Sequence, residues 1–200
     1  MTGAASGLDL GIAGKRAVVC GSSAGLGYAC ASALAAAGAQ VVLNGRDPER
    51  LAAAADRFAA EHGGLRPVMV ACDVTTAEGR QALVDGAGGA CDILVTNAGG
   101  PPPGDFRDFD EAAWLQAYNN NAVSAIMLIR AFVDGMIARR WGRIINITSA
   151  AVKQPRAALS LSNTSRSGLT AFAAGLARQV AAQGVTVNNL LPGAFATDRL

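Results

Sequence analysis

Short apolar segments alternate with longer segments of helical periodicity along the 200 residues of this chain. Each apolar segment is a continuous run rather than an alternation of apolar and polar residues, so both of its faces are expected to be buried. Such segments separated by helices are typical of a parallel sheet covered on both sides, and the right-handed crossover rule makes the sheet doubly wound. The chain has no linker and no repeat. We therefore predict a single α/β domain over residues 1–200.

The bounds of the predicted elements follow from the apolar runs and from residues that begin or end helices. Gly38 ends the first helix, and Asp47 with Pro48 begins the second. The predicted strands are residues 17–20, 41–43, 68–71, 93–95, 143–147 and 185–190. The later predicted helices are residues 47–61, 76–85, 111–140 and 164–183.

Composition argues against several other classes of protein. Apolar residues make up 51% of the chain and charged residues 16%, which is not the composition of a disordered protein. The net charge is +2 and the basic residues are scattered, so we expect neither a nucleic-acid partner nor a membrane partner. No apolar run is long enough to span a bilayer, and no secretory signal is visible. These features favour a cytoplasmic protein.

Cysteine and histidine content gives no sign of a metal site. Cys20, Cys30, Cys72 and Cys91 lie among apolar or small residues without C-x-x-C spacing, which favours reduced and mostly buried thiols. His62 is the only histidine and cannot form a metal site alone. We therefore expect no metal ion.

A glycine-rich turn, Gly21-Ser22-Ser23-Ala24-Gly25-Leu26-Gly27, separates the first predicted strand from the first helix. Glycines here allow the backbone to turn tightly and to approach a pyrophosphate, which the N-terminus of the helix can hold. The spacing is G-x-x-x-G-x-G rather than the dinucleotide fingerprint G-x-G-x-x-G. Its place in a doubly wound domain nevertheless predicts a Rossmann-type dinucleotide site. The residues assigned to that site are Gly21, Ser23, Gly25, Leu26 and Gly27.

With this turn, the chain resembles the short-chain dehydrogenase/reductase family over essentially all 200 residues. The resemblance implies further cofactor-binding residues, which are Asp73 and Val74 beside the adenine, Asn97, Ala98 and Gly99 along the cleft, and Pro192, Gly193 and Thr197 at the nicotinamide end. It also implies an NAD(P)(H)-dependent oxidoreductase that reduces a carbonyl or oxidises a secondary alcohol of a small molecule.

The end of the second strand bears on the choice of cofactor. An NAD-preferring domain usually carries an acidic side chain there, to bind the ribose 2′-hydroxyl. Here Gly45 occupies that position, and Asp47 is better explained as a helix cap. Arg46 can pair with a 2′-phosphate through its planar set of donors, although it can equally be a solvated loop charge. NADP(H) is therefore favoured over NAD(H).

The catalytic residues depart from the family pattern. Ser149 matches the family serine that follows the fifth strand. Ser162 stands where the family has its tyrosine, and Arg166 stands where it has its lysine. No gap restores the pattern, because the only tyrosines are Tyr28 and Tyr118. The chain thus resembles a divergent subgroup, similar to β-ketoacyl reductases, with Ser-Asn-x-x-Arg in place of Tyr-x-x-x-Lys.

This substitution changes the proton chemistry. Tyrosine has a pKa near 10, which an adjacent lysine lowers, whereas a serine hydroxyl is a much weaker acid. Arg166 can still hold the ribose hydroxyls, but it stays protonated and cannot relay protons. Lys153 is a candidate replacement acid or a solvated lysine, and Tyr118 either lines the same face or only packs. Asn121, which matches a family residue whose backbone holds a proton-path water, lies in an asparagine triplet that disfavours regular helix.

Three functions remain open from the sequence. The first is an oxidoreductase acting on a carbonyl, which includes 3-oxoacyl thioesters, or on an alcohol. The second is a catalytically impaired NADP(H)-binding sensor or scaffold, and the third is an inactive fragment. Family members continue beyond Leu200 with a substrate lid and a last strand, so we expect both to be lacking here. The family also pairs subunits through the two long helices, which implies a homodimer or homotetramer.

Overall fold

The computed structural model describes residues 9–195 and contains one six-stranded parallel sheet in the order β3-β2-β1-β4-β5-β6. The strands are β1 (Arg16–Val19), β2 (Gln40–Gly45), β3 (Val68–Ala71), β4 (Ile93–Thr96), β5 (Gly142–Ile147) and β6 (Val185–Leu190). The helices are α1 (Gly25–Ala36), α2 (Pro48–Glu61), α3 (Ala77–Gly86), α4 (Glu111–Tyr118), α5 (Ser124–Ala138) and α6 (Ser160–Val180). The strand order changes its direction of winding after β3, which confirms the predicted doubly wound α/β fold.

Alternate residues of the central strands point to opposite sides of the sheet. Val19 of β1 packs with Leu43 and Phe58 in one buried cluster, together with α1 and α2. Val18 packs with Leu94 in a second cluster on the other side, which includes residues of α3 and α5. Both faces of the central strands are therefore covered, which explains the continuous apolar runs in β1 and β4. The edge strands β3 and β6 instead contain several exposed residues.

Two of the predicted helix ends are confirmed. The carboxylate of Asp47 accepts hydrogen bonds from the backbone N–H groups of Glu49 and Arg50, at 2.9 and 3.1 Å. Gly38, with φ of +88°, follows the end of α1 in a conformation that favours glycine.

The predicted helix over residues 111–140 is interrupted by a π-helical turn, Asn119–Val123, which separates α4 from α5. By length and composition the whole stretch Glu111–Ala138 could cross a membrane. Its apolar side chains Leu128, Ile129 and Met136 are buried in the cluster against the sheet. The apolar composition is thus explained by a place in the core.

The prediction for α6 was wrong at its start, because the helix begins at Ser160 rather than Thr164. Thr164 resembles an N-cap residue, but its hydroxyl donates to the carbonyl of Ser160, at 3.0 Å. Ser165 donates in the same way to Leu161, at 2.8 Å. These hydroxyls are satisfied one turn back inside the helix, so they do not mark its end. As a result, Ser162 lies within the first turn of α6.

Candidate functional site

The turn after β1 is too tight for side chains. Gly21 and Gly25 both have φ of +56°, which favours glycine. A Cβ on Gly27 would collide with the carbonyl of Gly21, so α1 packs directly on the turn. Within the described structure, α1 begins at Gly25 with no side-chain cap and no acidic residue in its first turn. Its open N–H groups can therefore hold the pyrophosphate of a dinucleotide.

Asn97, which follows β4, is tied to this turn. Its side-chain amide donates to the carbonyl of Gly21, at 3.2 Å. Asn97 and Ala98 line a cleft of about 340 Å³, to which Leu26 also contributes. Gly99 is exposed and lies outside that lining. The first two residues of the Asn-Ala-Gly motif thus form cleft wall, whereas the third only continues the loop.

The end of β2 leaves little room for a side chain at Gly45. A Cβ there would lie 3.3 Å from Oγ of the half-buried Ser23, which is tighter than ordinary contact. Arg46 is exposed, and within residues 9–195 its side chain forms no hydrogen bond or ion pair. Since Asp47 caps α2, Arg46 is the side chain at this corner that can meet an anion.

Asp73 and Val74 follow β3, the strand next to β2, and so lie near the end of β2 that carries Arg46. The carboxylate of Asp73 accepts a hydrogen bond from the backbone N–H of Thr75, at 2.9 Å, which fixes the turn. Val74 is buried and lines a small recess, together with Asn97, Asn121 and Arg166.

The π turn presents Asn121 to this recess. Asn121 is 4% exposed, and its amide nitrogen donates to the carbonyl of Ala117, at 3.1 Å. Its Oδ1 atom has no hydrogen-bond partner among the described residues. The recess measures about 10 Å³, which is close to the space that one water molecule occupies. A water there would satisfy this buried acceptor.

The carboxyl end of β5 brings Ser149 into the 340 Å³ cleft. Its Oγ accepts a hydrogen bond from the backbone N–H of Ala151, at 3.1 Å, in a short 3₁₀ turn formed by Ala150–Val152. Pro192 and Gly193 face the same cleft, and the carbonyl of Pro192 accepts a hydrogen bond from Ala150, at 2.9 Å. Thr197 lies outside the described residues.

Ser162 and Arg166 are one turn apart on α6, and both line the cleft with Ser149. Ser162 is 9% exposed and Arg166 is 7% exposed. The Arg166 guanidinium donates from Nη1 to the carbonyls of Ile147 and Thr148, at 2.9 and 2.8 Å. The positive charge is thereby fixed at the end of β5, in the wall of the cleft.

Neither replacement acid considered from the sequence reaches the cleft. Lys153 is exposed and lies outside the cleft lining, because the chain leaves the 3₁₀ turn at that residue. Tyr118 is 42% exposed, and its hydroxyl lies 3.0 Å from a Cβ built on Gly168 of α6, which indicates a packing role. Lys153 is therefore corrected from a cleft residue to a surface residue.

Sequence reasoning missed two polar residues that do line the cleft, Gln154 and Arg156. They lie in the segment between the 3₁₀ turn and α6. No motif spacing marks them, and only their place after the segment that contains Ser149 could have indicated them.

The thiol nearest the glycine turn is unsuited to acid–base chemistry. Burial raises the pKa of Cys20 to about 12, so its thiol stays protonated at neutral pH. Across residues 9–195, no three His, Cys, Asp or Glu side chains cluster as a metal site would need. The polar groups that converge on the cleft are hydroxyls, amides and guanidinium groups.

Comparison with known proteins assigns the chain to a family. Residues 15–200 match the family described as short chain dehydrogenase. The chain is 32% identical over 191 residues to the uncharacterized oxidoreductase YvaG of Bacillus subtilis, covering 96% of this chain and 72% of that protein. It is 33% identical over 193 residues to gluconate 5-dehydrogenase of Gluconobacter oxydans, covering 94% and 73%.

Solved structures agree with this assignment. L-sorbose reductase from Gluconobacter frateurii, complexed with NADPH and L-sorbose, superimposes with a TM-score of 0.91 at 35% identity, covering 96% of this chain and 74% of that one. A metagenomic short-chain oxidoreductase in complex with NADP gives a TM-score of 0.84 at 35% identity, covering 92% and 84%. The chain belongs to the short-chain dehydrogenase/reductase family of oxidoreductases.

Proposed function

We propose that this chain is an NADP(H)-dependent oxidoreductase that interconverts a small carbonyl compound and its secondary alcohol without a tyrosine as proton donor. The observation that carries the proposal is the convergence of Ser149, Ser162 and Arg166 on the cleft next to Asn97 and Leu26. When bound, the nicotinamide dinucleotide donates or accepts the hydride. The residues of this chain bind and orient the cofactor and the substrate, and they exclude water from the cleft.

The open N–H groups of α1 suit the pyrophosphate, and the exposed Arg46 suits a 2′-phosphate. The solved relatives that contain NADPH or NADP support the same choice. Arg166 replaces the family lysine with a fixed positive charge, which can hold ribose hydroxyls while it donates to the β5 carbonyls.

Without the tyrosine, the contribution of acid–base catalysis is weakened, but the larger contribution from positioning the reactants remains. Positioned acid–base catalysis contributes about 10²–10⁴-fold, which corresponds to roughly 3–5 kcal/mol of barrier. Holding the hydride donor and acceptor together contributes about 7–11 kcal/mol and needs no tyrosine. We expect a slow enzyme with normal cofactor affinity.

The relatives suggest which substrates to test first. Their names include a gluconate 5-dehydrogenase, an L-sorbose reductase and a 3-oxoacyl-[acyl-carrier-protein] reductase. The test is a titration of the chain with NADPH and NADH, followed by a stopped assay with hydroxyketones, keto acids and β-ketoacyl thioesters. Tighter binding of NADPH with slow turnover of one class supports the proposal, and equal binding of both cofactors contradicts the NADP(H) preference.

The second candidate function is an NADP(H)-binding sensor or scaffold. Its support is that Ser162 and Arg166 line the cleft at the positions where the family has its tyrosine and lysine. It predicts tight NADPH binding with no turnover of any substrate in the panel. For either function we propose a cytoplasmic homodimer or homotetramer.

A further inference from the structure

Two basic side chains and no acidic one line the cleft in the part of the chain that the structure describes. Of the described residues that line it, Arg156 and Arg166 are basic and none is acidic. The rest are apolar residues or neutral polar residues such as Ser149, Ser162 and Gln154. A ligand in this cleft therefore meets donors and positive charge rather than carboxylates.

The guanidinium groups of the two arginines differ in the hydrogen bonds that they form within the protein. Arg166 is buried and donates to two carbonyls at the end of β5. Arg156 is exposed at the cleft, and its guanidinium forms no hydrogen bond or ion pair with any residue in the range 9–195. Arg156 thus offers a full set of charge-assisted donors to a ligand.

The backbone that carries Arg156 is fixed in place. Its carbonyl accepts hydrogen bonds from the side-chain amide of Asn163 and from the N–H of Leu159, both at 2.9 Å. The same loop accepts a hydrogen bond from Gly104 at the carbonyl of Ala158, also at 2.9 Å. Asn163 is the second residue of the Ser-Asn-x-x-Arg motif, so the helix that holds Ser162 also anchors this loop.

Arg156 is poorly placed to serve the phosphates of a dinucleotide. The glycine turn follows β1 and Arg46 follows β2, whereas Arg156 follows β5. In the sheet order, β5 lies two strands from β1 and three from β2, which is roughly 10 and 14 Å across the sheet. Arg156 therefore lies on the β5 side of the cleft, away from the expected phosphate positions, and this is where we expect the substrate.

We infer that the substrate carries an anionic group, a carboxylate or a phosphate ester, and that Arg156 selects it. This inference rests on the function proposed above and names the substrate class of the same site. An anionic group next to Arg156 gains a charge-assisted hydrogen bond that a hydroxymethyl group in its place does not provide.

The test uses pairs of ligands that differ mainly in one anionic group. The pairs are D-gluconate with D-glucitol, 3-hydroxybutyrate with 1,3-butanediol, and glycerol 3-phosphate with glycerol. All are at the alcohol level, so NADPH cannot reduce them and equilibrium binding to the NADPH complex is measured by calorimetry. The first two pairs report a carboxylate and the third a phosphate ester. In at least one pair we expect the anion to bind about 10–100-fold more tightly.

Three variants assign that preference to its residue. Arg156→Gln is expected to abolish it while leaving NADPH affinity unchanged, because the side chain is exposed and distant from the glycine turn. Arg156→Lys keeps the positive charge and is expected to retain part of the preference for the anionic ligand. Arg107→Gln changes the net charge equally at an exposed position outside the cleft lining, and is expected to retain all of it.

The outcomes separate this inference from the function on which it rests. Normal NADPH binding with no anion preference in any pair overturns the inference alone. An anion preference that Arg156→Gln leaves intact also overturns it, because another group must then provide the selection. Failure of the unmodified chain to bind NADPH overturns the proposed function, and the inference with it.

Discussion

At the residue scale, the resemblance to the family aligns Ser162 with its tyrosine and Arg166 with its lysine. The structure places both in the cleft wall beside Ser149 rather than on the outer surface of α6. The serine hydroxyl is shorter than a phenol by about one ring and is a weaker acid. Replacing both residues with the family pair therefore tests whether proton donation limits the proposed reaction.

We predict that Ser162→Tyr with Arg166→Lys raises turnover about 10–10³-fold without tightening NADPH binding. The matched control is Ser162→Phe with Arg166→Lys, which adds the same ring without the acidic hydroxyl and is expected to give no gain. Initial rates at saturating cofactor are the measurement. Equal rates for the Tyr and Phe variants would show that proton donation does not limit the reaction, and complete loss of activity in Ser162→Ala would show that the serine itself takes part.

A second prediction concerns Arg46, which is exposed at the end of β2. Arg46→Ala is expected to narrow the difference in binding free energy between NADPH and NADH by about 1–3 kcal/mol, the range for a hydrogen bond to a charged group. Arg50→Ala is the control, because it removes an exposed charge one turn along in α2. Titration of each variant with both cofactors gives the result, and an equal effect of the two substitutions would indicate a general electrostatic field.

At the scale of elements, the order and type of the strands and helices could be predicted from the sequence. Continuous apolar runs and helix caps such as Asp47 depend on local chemistry, so they appear directly in the residues. The early start of α6 could not be predicted, because Thr164 is a good cap residue whose hydroxyl is instead bonded one turn back.

Some residues of the candidate site could likewise be predicted from the sequence, and others could not. The glycine turn, Asn97 and Ser149 belong to short motifs whose spacing is fixed by strand ends, and the structure brings them to one edge of the sheet. Arg156 does not belong to any such motif. Its place in the cleft depends on hydrogen bonds to its carbonyl from the Asn163 side chain and the Leu159 backbone N–H, which form only in the folded chain.

Gly27 shows what the turn requires of α1. We predict that Gly27→Ala destabilises the fold by about 1–3 kcal/mol and weakens NADPH binding, because the added Cβ collides with the Gly21 carbonyl and pushes α1 away from the turn. Gly175→Ala is the control, since a Cβ there meets no atom within 4 Å and the helix should gain about 0.5–1 kcal/mol. Denaturant unfolding with cofactor titration measures both effects. Unchanged NADPH affinity in Gly27→Ala would contradict the tight approach of α1 to the cofactor.

At the scale of the whole molecule, the buried thiols link folding to pH. Burial raises the pKa of Cys20 and of Cys91 to about 12, against 9.0 for an exposed thiol. Below pH 9 both states keep these thiols protonated, so they add no pH dependence. Above pH 9 the unfolded chain loses these protons while the folded chain keeps them, so stability must fall as pH rises.

We therefore predict that the free energy of unfolding decreases between pH 9 and pH 11, by up to about 1.4 kcal/mol per thiol and per pH unit. The measurement is denaturant unfolding across this range, with Cys20→Ala and Cys91→Ala combined as the comparison. The double variant is expected to be less stable at pH 7 and to show a shallower decline. Parallel pH profiles of the unfolding free energy for the two proteins would show that burial does not raise the pKa of these thiols in the folded state.

The outer face of α4 and α6 is the surface through which we expect copies of the chain to associate. Leu115 on α4 is 63% exposed, and Ala171 and Ala174 on α6 are exposed small residues that allow close approach of another helix. Ala173, which lies between them in the sequence, is buried in the core of its own chain. α4 and α6 pack against each other, so these exposed residues lie on adjacent helices.

We predict that the chain forms a dimer or tetramer at micromolar concentration and that Leu115→Glu shifts it toward monomer. In a two-fold interface the substitution places a charge on an apolar contact in both copies, and the two charges oppose association. Leu65→Glu is the control, because Leu65 is 49% exposed but lies between α2 and β3, away from these helices. Light scattering with sedimentation velocity distinguishes the species. An unmodified chain that is only monomeric, or an equal response to both substitutions, would exclude association through this face.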